Sequence, residues 1–154
     1  MSTKHIVALQ YEQIVERAAK SLADIKRPRE GWLRTVRNAL YMSGAQLARR
    51  LGVTRSLISQ SEKAELSGRI TIKKMEELAE AMDCRFVYAV VPNSSVHDLI
   101  ATQARRKATA AVLETSEHMA LQGQALAKNQ IEFEVNRLAR QMAESPSRDL
   151  WDDK

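Results

Sequence analysis

The stretch from Ser43 to Glu65 constrains the fold of this 154-residue chain more than any other, because it predicts two short helices joined by a tight turn. The apolar residues before the turn have the spacing of one helical face; they are Leu47, Ala48 and Leu51. Gly52 follows, and glycine adopts the left-handed conformation of a helix C-cap without steric cost. Thr54 is a suitable N-cap for a second helix that begins at Arg55. The outward side of that second helix is predicted to be polar.

This order of elements is the helix-turn-helix pattern, in which the second helix enters the DNA major groove by its N-terminal half and the first crosses the backbone. The chain also resembles, residue by residue, the phage-repressor (Xre/Cro) superfamily. The matching positions are Gln46, Leu47, Ala48, Gly52, Val53, Thr54, Ile58 and Glu62. The resemblance implies a lambda-repressor-like DNA-binding domain. The alternative interpretation is an ordinary helical hairpin with a glycine turn.

Basic residues are concentrated around this unit. From Lys26 to Lys74 the chain has twelve Lys and Arg residues and three acidic ones, whereas the whole chain has 24 and 19. The rest of the chain is therefore acidic on balance, and the positive excess lies where phosphate contacts require it. A merely solvated surface would usually mix the two signs. The charge distribution thus favours DNA binding over the hairpin alternative.

Composition restricts the remaining classes of function. The scarcity of glycine, proline and aromatic residues favours a mainly α fold for a chain of this length. The single Cys84 excludes an intramolecular disulfide and suits a reducing compartment, and we interpret it as a small buried hydrophobe. No apolar run reaches the length of a membrane span, so we expect a cytoplasmic protein without membrane contacts. The scattered His5, His97 and His118, with no phosphate-loop or nucleophile motif, predict no catalytic site, no metal site and no cofactor.

Candidate DNA contacts follow from positions along the second helix. Arg55, Ser56 and Gln60 lie at its start and one turn further on. We expect them to read base edges, because Arg pairs with guanine and Gln with adenine in the major groove. The expected phosphate ligands are Arg49, Arg50, Lys63 and Arg69. The superfamily resemblance further implies that Arg37 and Glu62 form an ion pair that orients the second helix.

The hydrophobic period changes after a further predicted helix, Ile72 to Met82. Residues 85–92 are rich in aromatic and β-branched side chains and end at Pro92, a pattern that predicts a β-strand. No second strong strand pattern occurs, so we expect this strand to pair with its copy in a homodimer. The side chains assigned to the dimer strand are Phe86, Val87, Tyr88 and Val90. A buried apolar linker is the alternative interpretation.

The sequence predicts five consecutive segments. They are an N-terminal amphipathic helix at 1–26, a helix-turn-helix domain at 27–84, the dimer strand at 85–92, a C-terminal helical region at 93–144 and a flexible tail at 145–154. Leu150 and Trp151 are candidates for an anchor within that tail. The predicted fold class is mainly α, with a lambda-repressor-like domain, one β-strand and a helical extension. We expect the homodimer to bind a palindromic operator in double-stranded DNA.

A longer stretch, roughly residues 26–125, is similar to a narrower group, the Xre-type proteins called mobile mystery protein A. Its most specific part is the segment CRFVYAVVP, residues 84–92. Members of the group are encoded beside a Fic-domain protein, so the resemblance implies a Fic-domain toxin as partner and repression of the protein's own operon. Two positions depart from the usual patterns: Ser61 replaces a common leucine, and Gly44 replaces a glutamine that contacts phosphate. The nearest match to a Fic-inhibitory motif, residues 61–65, is incomplete because Leu66 follows.

Two hypotheses remain open from the sequence. In the first, the protein is a sequence-specific DNA-binding repressor that acts as a homodimer. In the second, it is chiefly an antitoxin whose C-terminal helices bind and neutralise the co-encoded Fic-domain toxin, and DNA binding is secondary.

Overall fold

The computed structural model describes residues 2–152, and that part of the chain contains seven α-helices and one short 3-10 helix. The α-helices are α1 (Thr3–Leu22), α2 (Trp32–Ala39), α3 (Gly44–Leu51), α4 (Arg55–Ser67), α5 (Ile72–Ala81), α6 (Val96–Leu121) and α7 (Lys128–Glu144), and the 3-10 helix spans Arg148–Trp151. The predicted mainly α fold class is confirmed.

The chain divides into two compact units. One unit, Leu22–Ala89, contains α2 to α5, and the other contains the chain before Leu22 together with the chain from Val90 onward. The second unit therefore groups α1 with α6 and α7, which the sequence had placed in separate segments. A contact within this unit is the carboxylate of Glu16, which accepts a hydrogen bond from the backbone N–H of Val96 at 2.7 Å.

The core of the unit Leu22–Ala89 lies where α2, α3, α4 and α5 meet. Its buried side chains are Leu33, Leu47, Ala48, Ile58, Met75, Leu78 and Met82. Complete burial of one large apolar side chain contributes about 1.5–3 kcal/mol, so this cluster supplies much of the stabilisation. Ile72, the first residue of α5, is exposed.

The turn between α3 and α4 has the predicted caps. Gly52 is left-handed, with φ 68°, and the hydroxyl of Thr54 accepts from the backbone N–H of Leu57 at 3.2 Å. The start of α3 is fixed by a capping box, in which Ser43 Oγ accepts from the Gln46 N–H at 3.1 Å and Gln46 Oε1 accepts from the Ser43 N–H at 2.8 Å. The Ser-x-x-Gln spacing that signals such a box is present in the sequence.

The β-strand predicted at residues 85–92 is wrong. Within the described chain no segment pairs with these residues, and they have no regular secondary structure. Phe86 packs against the core, its ring stacks on that of Tyr88 with centroids 5.7 Å apart, and Val87, Tyr88 and Val90 are exposed. Aromatic and β-branched residues favour extended backbone, but a strand also needs a neighbour for its N–H and C=O groups. The described chain provides no such neighbour.

In the second unit, α6 and α7 pack against each other around Ala108, Val112 and Val135. Gly123 has φ 75° and follows the end of α6. Within the predicted flexible tail, residues 148–151 form the 3-10 helix. Leu150 is buried there, and its carbonyl accepts a hydrogen bond from Gln103 Nε2 at 2.9 Å.

Across residues 2–152, no helix is both long enough and apolar enough to cross a membrane.

Candidate nucleic-acid interface

The exposed side of α4 carries the three residues predicted to read bases. Arg55, Ser56 and Gln60 are exposed, and so are Ser59 and Lys63. The opposite side carries the buried Ile58, Ser61 and Glu65. No acidic residue of α4, all of which is described, lies on the exposed side. This surface therefore offers hydrogen-bond donors and the side-chain amide of Gln60, which can also accept. It carries no negative charge that would repel DNA.

The N-terminus of α3 lies beside the first turns of α4. A Cβ built on Gly44 would be 3.9 Å from Arg55 Cγ and 4.0 Å from Ile58 Cγ2, which is ordinary van der Waals contact. A groove of about 340 Å³ separates the two helix starts from α2. Its lining residues are Arg34, Arg37, Ser43, Gly44, Arg55, Ile58, Ser59 and Glu62. The site prediction omitted Arg34 and Ser59. Ser59 lies four residues after Arg55 and four before Lys63, so it is on the same helical face as both. This spacing could have identified Ser59 as a residue of the site.

The four predicted phosphate ligands have different surroundings. Arg49, Lys63 and Arg69 are exposed, and their side chains make no hydrogen bond or ion pair to another described residue. Arg50 instead donates from Nε to the Ala81 carbonyl at 2.6 Å and from Nη2 to Asp83 at 3.2 Å. Because these bonds satisfy the carbonyl end of α5, Arg50 ties α3 to α5 and is less available to a ligand.

Arg37 and Glu62 lie in bidentate contact. The distance from Arg37 Nε to Glu62 Oε1 is 2.6 Å and that from Nη2 to Oε2 is 3.2 Å, and about 13% and 14% of the two side chains are exposed. Arg37 Nη1 also donates to the Met42 carbonyl at 3.0 Å. The guanidinium thus joins α2, the loop before α3 and α4. This arrangement connects α2 directly to α4, and neither residue lies on the exposed side of α4.

Glu65 is a structural residue that the sequence reasoning missed. It is 6% exposed, and its carboxylate accepts from the backbone N–H groups of Trp32 at 2.7 Å and Leu33 at 2.9 Å. A carboxylate at a helix N-terminus is favoured by both the free N–H groups and the helix dipole. Gly31 permits this contact, because it has φ 86° and a Cβ there would lie 2.9 Å from Glu65 Oε1.

The position of Glu65 in the sequence contained a signal for this role. It lies seven residues after Ile58 and four after Ser61, on the face of α4 that is buried. An acid on a buried face requires donors, and the start of a neighbouring helix supplies them. Ser61, which replaces a common leucine, is buried, and its hydroxyl donates to the Leu57 carbonyl at 2.9 Å.

Residues 2–152 contain no group of three or more His, Cys, Asp and Glu side chains that could hold a metal ion. Cys84 is exposed, so its interpretation as a buried hydrophobe is wrong. It follows the end of α5 and Asp83, which has a left-handed φ of 56°.

Comparison with known families identifies this part of the chain. A family model described as Helix-turn-helix matches residues 33–88, which lie within the compact unit Leu22–Ala89. This segment is a helix-turn-helix domain. For this segment, the match supports the predicted Xre/lambda-repressor superfamily and a DNA-binding regulator of transcription. No curated protein and no solved structure matched the chain. The narrower resemblance, to mobile mystery protein A, stays a prediction.

Proposed function

We propose that the protein is a sequence-specific transcriptional repressor that binds a palindromic operator as a homodimer and represses its own operon. The observation that carries this proposal is the exposed side of α4, where Arg55, Ser56 and Gln60 project beside the N-terminus of α3. In helix-turn-helix complexes the N-terminal part of the second helix enters the major groove. The position of these three side chains is suited to that docking.

Some of the proposed contacts provide sequence specificity, and the others provide affinity. Arg55 donates to N7 and O6 of a guanine, Gln60 pairs with N6 and N7 of an adenine, and Ser56 contacts an adjacent base edge. Arg49, Lys63 and Arg69 neutralise phosphates, which releases counterions and supplies affinity that is independent of sequence. The bidentate pair of Arg37 and Glu62 holds α4 at the angle that these contacts need.

Alanine at Arg55 or at Gln60 is expected to remove preference for one base pair per half-site. Each substitution should cost about 1–3 kcal/mol on the operator, roughly 5- to 150-fold in Kd, while binding to unrelated duplexes changes much less. The measurement is fluorescence anisotropy with the protein's own promoter fragment and single-base variants of it. Arg140→Ala, which removes one exposed charge from α7, is the matched control for Arg55→Ala.

If the two substitutions weakened binding equally on every duplex, Arg55 and Gln60 would contact phosphates and would not read bases. If the unaltered protein bound its promoter no better than random DNA, the repressor proposal itself would be wrong.

The homodimer is proposed to form through the unit that contains α1, α6 and α7. Among the described residues of α1 none is buried, and Tyr11 and Ile14 are 65% and 64% exposed. These two side chains lie on one face of the helix, because they are three residues apart. Leu121 and Phe133 of the same unit are also largely exposed. Apolar surface of this kind is typical of an interface between proteins.

The double substitution Tyr11→Asp/Ile14→Asp is expected to convert the dimer into a monomer. Two buried, unpaired charges in each subunit would make association unfavourable. Sedimentation velocity would show the change, and operator affinity should fall at least tenfold because the two half-sites are no longer bound together. Gln13→Asp adds a charge on a different side of α1 and should leave the dimer intact. A double variant that remained dimeric would exclude this face of α1 as the interface.

The second candidate function, an antitoxin for a co-encoded Fic-domain protein, is favoured by the same exposed apolar residues. Such a partner would bind the α1, α6 and α7 unit and leave α4 free for DNA. The sequence 61–65 does not support inhibition through the Fic-inhibitory motif, because Ser61 and Glu65 are buried and hydrogen-bonded. Co-expression with the neighbouring Fic protein, followed by size-exclusion chromatography, distinguishes a stable complex from independent proteins.

A further inference from the structure

Tyr41 has an unfavourable backbone conformation at the end of α2. Its φ is 55°, in the left-handed region, and it occupies the position after the C-cap where glycine is preferred. The turn is closed by the N–H of Tyr41 on the Asn38 carbonyl and the N–H of Met42 on the Arg37 carbonyl, both at 3.0 Å. Any residue with a Cβ costs free energy there relative to glycine.

The side chain of Tyr41 does not offset that cost within the described structure. It is 96% exposed, so its ring buries almost no apolar surface, and its hydroxyl makes no hydrogen bond to another described residue. The ring is therefore positioned toward solvent by a turn that glycine would form more easily. Strained positions of this kind are concentrated at functional sites, which points to a partner outside the chain.

The ring borders an open groove of about 520 Å³ between the end of α2 and the outer face of α3. The groove is lined by Leu40, Tyr41, Met42, Gln46, Arg49 and Arg50. Because Gln46 Oε1 is occupied by the Ser43 N–H, the amide Nε2 of that side chain is left as a donor. The Arg49 guanidinium is also exposed and unbonded to any described residue. No carboxylate is among these lining residues, so the groove is suited to an anion.

We propose that this groove binds the sugar-phosphate backbone that flanks each half-site of the operator. Tyr41 donates its hydroxyl to a phosphate oxygen and packs its ring on the adjoining sugar, while Gln46 and Arg49 contact the same or the next phosphate. Tyr, Gln and Arg are all established types of phosphate ligand in protein–DNA complexes. The inference rests on the proposed DNA-binding function and extends it to a surface beyond α4.

The location of the groove supports DNA over other anions. Its α3 residues belong to the helix that begins at Gly44, and Gly44 lies against Arg55 at the start of α4. A duplex that receives α4 in its major groove runs its backbone past the N-terminus of the first helix of the motif. Tyr41 lies three residues before Gly44, the first residue of α3, and Gln46 and Arg49 follow on one helical face.

Tyr41→Gly tests the proposal because stability and affinity should change in opposite directions. Removal of the Cβ should raise the Tm of the helix-turn-helix domain by a few degrees, since glycine suits the left-handed turn. DNA affinity should fall by roughly three- to tenfold on both the promoter fragment and an unrelated duplex, because a phosphate contact carries no sequence preference. Tyr41→Asn, which also tolerates the left-handed conformation, should show the same loss of affinity.

Two further variants separate the parts of the contact. Tyr41→Phe keeps the ring and the backbone and removes the hydroxyl, so it should lose part of the affinity. Arg49→Ala should reduce the slope of log Kd against log salt by about one unit. Lys128→Ala, which removes an exposed charge from the start of α7, should leave the slope unchanged.

The outcomes are distinguishable from those of the repressor proposal. If the unaltered protein binds no duplex, the proposed function fails. If it binds its promoter and Tyr41→Gly and Tyr41→Asn bind equally tightly, the groove is not a DNA contact and the inference is overturned.

Discussion

Glu65→Leu is expected to lower the free energy of unfolding of the helix-turn-helix domain by about 2–4 kcal/mol, because it leaves the N–H groups of Trp32 and Leu33 without acceptors at roughly 1–3 kcal/mol each. Leucine is apolar and of similar size, so the loss comes from hydrogen bonding and the helix dipole more than from a cavity. Glu65→Gln should cost less, since one side-chain oxygen still accepts. The expected order of stability is Glu, then Gln, then Leu.

Trp32 makes this measurement specific to the domain. Its own N–H is one of the two donors to Glu65, and the other tryptophan, Trp151, lies in the second compact unit. Urea unfolding monitored by fluorescence in a Trp151→Phe background therefore reports on α2 and its surroundings. Glu80→Leu, at an exposed position of α5, is the matched control and should change the unfolding free energy by no more than about 0.5 kcal/mol. Equal midpoints for Glu65→Leu and Glu80→Leu would contradict the capping role.

Much of the helix-turn-helix domain could be predicted because its signals are local. The capping roles of Gly52 and Thr54 depend only on backbone conformation and on hydrogen bonds within one turn of the chain. These roles could therefore be predicted from residue type and spacing. The apolar residues Leu47 and Ile58 repeat with the helical period and are both buried. Position on the outside of α4 follows from the same period, which explains why Arg55, Ser56 and Gln60 are exposed together.

The features that were missed depend on contacts between distant residues. Glu65 is 33 positions from Trp32, and Arg50 is 31 positions from Ala81, so the sequence around each residue does not identify its hydrogen-bond partner. The strand prediction at residues 85–92 was wrong for a related reason. Amino-acid composition indicates a preference for extended backbone, but it does not show whether a second segment is present to pair with it. The conformation of Tyr41 was not predicted, because a tyrosine carries no sequence signal for the left-handed backbone that follows the end of α2 at Ala39.

Arg37→Ala is expected to destabilise the helix-turn-helix domain by about 3 kcal/mol, because it leaves the mostly buried Glu62 carboxylate without its partner. It also removes the donor to the Met42 carbonyl. The double replacement Arg37→Met/Glu62→Leu should cost only about 1 kcal/mol, since it removes both charges and keeps apolar volume in their place. The same urea titration, with Trp32 as the probe, gives both values. Arg34→Ala, which breaks an exposed contact of 3.9 Å to Glu30, is the control and should cost under about 0.5 kcal/mol.

The comparison of stability with DNA affinity then shows what the pair contributes. If the pair serves mainly to orient α4, the double replacement should regain most of the stability that Arg37→Ala loses but should still bind the operator more weakly than the unaltered protein. A stable double variant with full operator affinity would show that apolar packing holds α4 equally well. A double variant as unstable as Arg37→Ala would show instead that the hydrogen bonds of the pair, including that to Met42, are a net source of stability. The two measurements together therefore separate the energetic role of the Arg37–Glu62 pair from its role in positioning Arg55 and Gln60.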